Sequence, residues 1–152
     1  MEKRLIWDIP TRLFHWLLVA CILAQYLTAE VFDAIDWHFK IGYFTLGLIL
    51  FRLCWGFVGT TYAKFSQFLT GPGKVVAYAK TLTNKHSEEH AGHNPLGGWM
   101  VIALLLLVAA QGISGLFIGD DIFSNGPYYD AVSDATRDVM NAIHHTAFNV
   151  LL

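Results

Sequence analysis

The stretch Gly97–Gly119, GGWMVIALLLLVAAQGISGLFIG, contains no charged residue. A helix of about 20 apolar residues is long enough to cross the hydrocarbon core of a bilayer. Similar apolar runs elsewhere in the chain bring the number of expected membrane helices to four. We expect these helices at residues 11–30, 37–59, 96–119 and 138–152. The sequence therefore predicts an all-α fold, a transmembrane four-helix bundle, formed by one domain over residues 1–152.

The composition of the whole chain also favours a membrane protein. Of its 152 residues, 55% are hydrophobic and 14% are charged, and the mean hydropathy is +0.44. A water-soluble domain of this size exposes more polar surface than these residues can supply. Ten Lys and Arg against twelve Asp and Glu give no basic surface for nucleic acid. Cys21 and Cys54 lack C-x-x-C spacing, so neither a thiol-redox pair nor covalently attached c-type haem is supported.

Basic residues are distributed unevenly between the two sides of the expected bundle. Only Lys40 and Arg137 fall on one side, and the other side has Lys3, Arg4, Arg12, Arg52, Lys64, Lys74, Lys80 and Lys85. Because Lys and Arg are retained in the cytoplasm, we expect the amino terminus there. On the same side, residues 62–82 mix aromatic and aliphatic side chains with lysines, which is typical of an amphipathic segment on the membrane surface. The fourth apolar run, NAIHHTAFNVLL, stops at Leu152, so we expect the fourth helix to be truncated.

Four of the seven histidines lie in or at the ends of the expected membrane helices, where an ionisable side chain is costly and marks a functional candidate. His38 lies near one end of the second helix. His144 and His145 lie near the matching end of the fourth, so one of them shares a depth with His38. His15 lies at the opposite depth on the first helix. Two imidazoles that face each other at one depth are what a six-coordinate b-type haem requires.

Other residues near these depths can support such a haem. Gly42 follows the second-helix histidine by one turn on the same face, and it removes a side chain where the porphyrin would lie. Arg52 lies on that face about 21 Å deeper by the helical rise. Arg12 reaches the same region from the first helix. Both arginines could pair with haem propionates there, and Lys40 could do so at the other depth.

Simpler interpretations of these residues remain open. A histidine at a helix end is often an interfacial side chain, and Arg12, Arg52 and Lys40 could be anchors whose charged ends reach the interface. The corresponding alternative function is a haem-free multi-pass membrane protein. Such a protein could transport protons or metals, or anchor a catalytic subunit. A transporter of this kind would need acids within the helices, and the apolar cores of the runs offer none.

Four stretches of the sequence resemble the bacterial cytochrome b561 family, which includes the cytochrome b subunits of membrane-bound Ni,Fe-hydrogenases. They are IWDIPTRLFHWLL at residues 6–18, DWHFKIGYFTLGLILFRLCWGFVGTTYAKF at 36–65, AGHNPLGG at 91–98 and IHHTAFN at 143–149. The resemblance covers nearly the whole chain. It implies a four-helix bundle that holds two b haems, with axial histidines from the first, second and fourth helices.

Carried over by position, the resemblance assigns the axial ligands of the haem irons to His15, His38 and His144. His145 stands where the family has Glu, and it is the alternative to His144 as a ligand. The second ligand that the family has on the fourth helix would lie beyond Leu152.

The resemblance also implies electron transfer in the bacterial inner membrane. Electrons would pass between a quinone pool and a redox partner such as a cytochrome c or a dehydrogenase or hydrogenase subunit. With both axial positions filled by imidazole, an electron carrier is expected more than an enzyme with its own chemistry.

Overall fold

A computed structural model describes residues 7–82, 92–119 and 124–152 of the chain. Lys3, Arg4 and Lys85, which contribute to the charge bias, lie outside the described residues. The helices are α1 (Ile9–Tyr26), α2 (Ile35–Val58), α3 (Phe65–Phe68), α4 (Pro72–Thr81), α5 (Pro95–Gly115) and α6 (Asp134–Leu151). A π-helical turn, Leu27–Val31, directly follows α1.

Three segments within the described residues are long and apolar enough to cross a membrane. They are Ile9–Val31, Ile35–Val58 and Pro95–Gly115. Side by side, α1 packs against α2, α2 against α5, and α5 against α6. Large apolar side chains such as Leu106 and Phe57 remain exposed on the outside of this arrangement, as expected for surfaces that face lipid. The fold is an all-α membrane bundle.

Helices α1, α2 and α6 begin two to four residues before the predicted positions, and polar side chains cap two of them, α1 and α6. Asp8 accepts a hydrogen bond from the backbone N–H of Thr11 at 2.8 Å and so starts α1 at Ile9. Pro10, whose fixed φ suits a first turn, follows immediately. Ser133 caps α6 in the same way through the N–H of Thr136. The apolar runs alone do not show these first turns, because the residues in the first turns are polar or amphipathic.

The third membrane helix ends at Gly115, four residues before the predicted end. The N–H of Leu116 bonds to the carbonyl of Ile113, which tightens the last turn and ends the α-helical ladder. Beyond it the chain turns back on itself, and Gly119 pairs with Asn125 in an isolated antiparallel bridge. The helix is shorter than the apolar run from which it was predicted, because the apolar composition continues into this turn.

The segment predicted to be amphipathic forms two short helices, α3 and α4, with a break between them at Leu69–Gly71. Pro72 begins α4, where its missing N–H costs nothing. The indole of Trp99 on α5 donates to the carbonyl of Thr70 at 2.9 Å and ties the break to the bundle. The position of this segment on a membrane surface remains a prediction.

The most buried apolar side chains connect α1, α2, α3 and α5 in one cluster. Its buried members are Phe14, Cys21, Leu48, Ile49, Phe65, Phe68, Leu105 and Val108. Two ends of the bundle lie on either side of it. We call the end that carries His38 and His144 the His38 end, and the end that carries Arg52 and α3 the Arg52 end.

Candidate functional site

Two histidines from different helices meet at the His38 end. His38 lies in the first turn of α2, and His144 lies in the middle of α6. Their ring centres are 6.3 Å apart and their planes are inclined by 67°. Both side chains are half-buried. The structure therefore brings together one second-helix and one fourth-helix histidine that the sequence predicted to share a depth.

Each of these rings is held through its Nδ1 atom by a backbone carbonyl of a neighbouring helix. His38 Nδ1 lies 3.2 Å from the carbonyl oxygen of Gln25, and His144 Nδ1 lies 2.9 Å from that of Gln111. His38 Nδ1 also lies 2.8 Å from the side-chain amide of Gln25. A carbonyl oxygen only accepts hydrogen bonds, so the Nδ1 of His144, which contacts the Gln111 carbonyl at 2.9 Å, carries the hydrogen. The lone pair then belongs to Nε2, which is the arrangement usual for a histidine that binds a metal.

Both histidines line a cavity of about 280 Å³ between α1, α2, α5 and α6. Glycines on two sides keep it open. A Cβ atom at Gly115 would lie 3.2 Å from Cε1 of His144, and one at Gly42 would lie 3.1 Å from the side-chain amide of Gln25. Gly42 therefore lines the cavity, and the side chain beside it is that of Gln25.

His145 is placed differently from its neighbour in sequence. Its side chain is exposed, and its ring lies edge-on to that of His144 with 6.1 Å between centres. It also borders the cavity. Within the described chain no hydrogen bond orients its ring.

The other predicted site residues are spread over the bundle. His15 and Arg12 are exposed on α1 towards the Arg52 end, and the His15 ring packs at 5.7 Å against Trp16. Lys40 is exposed at the His38 end, with its Nζ 4.8 Å from the centre of the Trp37 ring. The structure does not bring these three into contact with the His38–His144 pair.

Arg52 is only 3% exposed at its end of the bundle. Its Nη2 donates to the carbonyl of Ala63 at 3.2 Å, and its guanidinium lies 4.8 Å from the centre of the Phe65 ring. The remaining Nη1 is buried and has no hydrogen-bond partner among the described residues. An unpaired buried donor of this kind is costly and marks a place for an acceptor.

His93 and Asp8 lie close enough to this arginine to interact with its charge, and neither was among the predicted haem-site residues. The His93 ring contacts Phe68 and Trp7, with centres 4.8 and 4.6 Å apart. Burial lowers the pKa of His93, and the positive charge of Arg52 lowers it further. Asp8 accepts hydrogen bonds from α1 and from residues near the end of α2. No spacing in the sequence signals this, because the contacts join residues far apart in the chain.

A family model described as prokaryotic cytochrome b561 matches residues 6–152. The chain belongs to the prokaryotic cytochrome b561 family. It is a membrane cytochrome that binds haem b and takes part in electron transfer. Neither curated proteins nor solved structures give a significant match to it. The paired imidazoles of the His38 end are chemically suited to a b-type haem, because they offer two neutral nitrogen ligands beside an open cavity.

Proposed function

We propose that this cytochrome transfers electrons between a quinone pool and a redox partner through two b haems, each with two axial histidines. One haem is held between α2 and α6 by His38 and His144. The other is held at the opposite depth, with His15 as one of its ligands. The redox partner is a cytochrome c or a dehydrogenase or hydrogenase subunit.

The distance between His38 and His144 carries this proposal. A metal–imidazole bond is about 2 Å long, and the ring centre lies about 1 Å beyond the nitrogen. Two imidazoles on opposite sides of one iron therefore have centres about 6 Å apart. The observed separation is 6.3 Å. Ordinary ring packing also gives separations of about 4.5–7 Å. What sets this pair apart is that both Nδ1 atoms contact backbone carbonyls while the rings line an open cavity.

The residues of the chain position and tune the bound group, which itself supplies the one-electron chemistry of iron. The carbonyls of Gln25 and Gln111 orient the two imidazoles. Gly42 and Gly115 leave space that larger residues would fill. Because His38 and His144 would both bind the iron, the group would offer no open position for a substrate and would supply electron transfer alone.

Basic residues near each depth are suited to the propionates of the haems. Arg52 has a buried Nη1 whose partner is not found in the described residues, and a propionate would supply the missing acceptor. Arg12 is exposed at the same end and Lys40 at the other. We assign Arg52 and Arg12 to the haem that His15 binds. We assign Lys40 to the haem that His38 and His144 bind.

Spectra of the detergent-purified protein test the function. We expect a reduced-minus-oxidised difference spectrum of b-type haem and low-spin ferric signals in electron paramagnetic resonance. Replacing His15 by Ala should remove the signal of one haem and leave that of the His38–His144 haem unchanged. A colourless protein would contradict the proposal and favour the haem-free transporter or anchor. Loss of all haem in His15→Ala would contradict two independent sites.

We also propose that the Arg52 end faces the cytoplasm, in the bacterial inner membrane, because most basic residues lie on that side. Single cysteines introduced at Glu30 and Lys74, in a chain without Cys21 and Cys54, provide the measurement. Both positions are exposed. A membrane-impermeant maleimide should label Glu30→Cys from the periplasm and Lys74→Cys only after the membrane is opened. Labelling of both from one side would contradict this orientation and the assignment of depths.

A further inference from the structure

The two histidines of the candidate haem site are held by the same local arrangement, which occurs twice. On α1 and its π-helical turn, Gln25 is followed three residues later by Thr28. On α5, Gln111 is followed three residues later by Ser114. In each case the histidine Nδ1 lies against both the carbonyl of the glutamine and the hydroxyl of the residue three positions later. His38 Nδ1 differs in also lying 2.8 Å from the side-chain amide of Gln25. The distances to the hydroxyl oxygens are 3.5 Å for His38 and 3.2 Å for His144.

The hydroxyl groups are oriented by their own helices. Thr28 Oγ1 donates to the carbonyl of Ala24 at 2.7 Å, and Ser114 Oγ donates to the carbonyl of Ala110 at 2.7 Å. A hydroxyl has one hydrogen and two lone pairs. Once its hydrogen is bound to the carbonyl four residues earlier, the oxygen can only accept from the Nδ1–H of the neighbouring histidine.

Both arrangements lie near the end of a helix. Gln25 lies just before the π-helical turn that follows α1, and Gln111 lies one turn before the end of α5. Ser114 is only 1% exposed. A buried hydroxyl at this depth is costly unless it is hydrogen-bonded, and this one contacts three polar atoms.

We propose that Thr28 and Ser114 are positioning residues that, with the adjacent glutamine carbonyls, hold the Nδ1–H groups of His38 and His144 and lower the reduction potential of the bound iron. This inference rests on the ligand roles proposed above. At His144, two acceptors on one Nδ1–H draw the proton away from the ring and make Nε2 a stronger donor to the iron. The effect at His38 is weaker, because the side-chain amide of Gln25 also contacts its Nδ1. A stronger donor stabilises the ferric state relative to the ferrous state.

Removing either hydroxyl should therefore raise the reduction potential of the haem bound by His38 and His144. For Ser114→Ala we expect the ratio of ferrous to ferric iron at a fixed potential to rise about three- to tenfold. At 59 mV per tenfold for one electron, this is a shift of about 30–60 mV. Thr28→Val should give a smaller shift because its contact is longer. The two shifts should add, since each acts through a different imidazole.

The experiment is an optical redox titration of the holoprotein and its variants in detergent. The conservative variants Ser114→Thr and Thr28→Ser retain a hydroxyl and should restore the wild-type potential. Thr45→Val is the matched comparison, because Thr45 also lines the cavity and donates to the carbonyl four residues earlier at 2.8 Å. It makes no contact with either imidazole within the described residues, so its shift should be smaller.

Two results would overturn the inference. One is an unchanged potential in both Ser114→Ala and Thr28→Val. The other is an equal shift in Thr45→Val, which would show that the polarity of the cavity alone sets the potential. If Ser114→Ala does not assemble, Thr28→Val and Thr28→Ser decide the question alone. A wild-type protein without the low-spin signal of two imidazoles would instead show that the proposed ligation is wrong, and the inference would then be wrong with it.

Discussion

Replacing His144 by Ala should remove the haem that we propose between α2 and α6, whereas replacing His145 by Ala should leave it in place. The reason is the difference between the two rings. His144 is half-buried, its Nδ1 is bound to the carbonyl of Gln111 at 2.9 Å, and its ring centre lies 6.3 Å from that of His38. His145 is exposed and has no orienting hydrogen bond within the described residues.

Haem content per polypeptide, measured separately for each variant, decides between the two histidines. We expect His38→Ala to match His144→Ala, because an iron that loses either imidazole also loses low-spin six-coordination. His145→Ala is the matched control, since it removes the same ring from the adjacent position. Unchanged haem content in His144→Ala together with a loss in His145→Ala would transfer the ligand role to His145.

Apolar runs and charge distribution were sufficient to predict a membrane bundle and the shared depth of His38 and the fourth-helix histidines. Depth could not choose between His144 and His145, because adjacent residues differ by only about 1.5 Å along a helix. The two side chains also point in directions about 100° apart around the helix axis. Which of them faces the cavity depends on the side from which α5 packs against α6. The choice therefore depends on where Gln111 lies, which is a property of helix packing.

The positioning residues were not predicted for a similar reason. Thr28 and Ser114 are small polar residues within apolar helices, and such residues commonly bond to their own backbone. Their contact with a histidine of the next helix in the bundle forms only when the helices are packed. Arg52 shows the converse. Its face on α2 was predicted from spacing, but its hydrogen bond to Ala63 depends on the fold of the segment that follows α2.

Replacing Asp8 by Ala lowers the free energy of unfolding by about 3 kcal/mol, as three hydrogen bonds are lost and their donors remain. The carboxylate is 7% exposed. It accepts from the N–H of Thr11 at 2.8 Å, from the indole of Trp55 at 3.0 Å and from the hydroxyl of Thr60 at 2.5 Å. One side chain thus caps α1 and joins it to the last turn of α2 and the residues after it.

Two further variants separate these roles in thermal unfolding of the detergent-solubilised protein. Asp8→Asn retains an oxygen for Thr11, but its amide would face the indole N–H of Trp55, which can only donate. We expect an intermediate loss of stability. Asp134→Ala removes an exposed acid from the first turn of α6 and its ion pair with Arg137, and an exposed pair contributes little. Equal melting temperatures for Asp8→Ala and Asp134→Ala would contradict a structural role for Asp8.

The stabilisation by Asp8 should also depend on pH. Burial by itself would raise the pKa of this carboxyl, but the hydrogen bonds from Thr11, Thr60 and Trp55 outweigh burial and lower it. Because the pKa is lower in the folded than in the unfolded protein, the contribution is complete above the unfolded value of about 3.9. It is lost as the pH falls through the folded value. The melting temperatures of wild type and Asp8→Ala should therefore differ at pH 7 and converge in strong acid. A difference that persisted in strong acid would show that the charge of Asp8 is not what stabilises this end of the bundle.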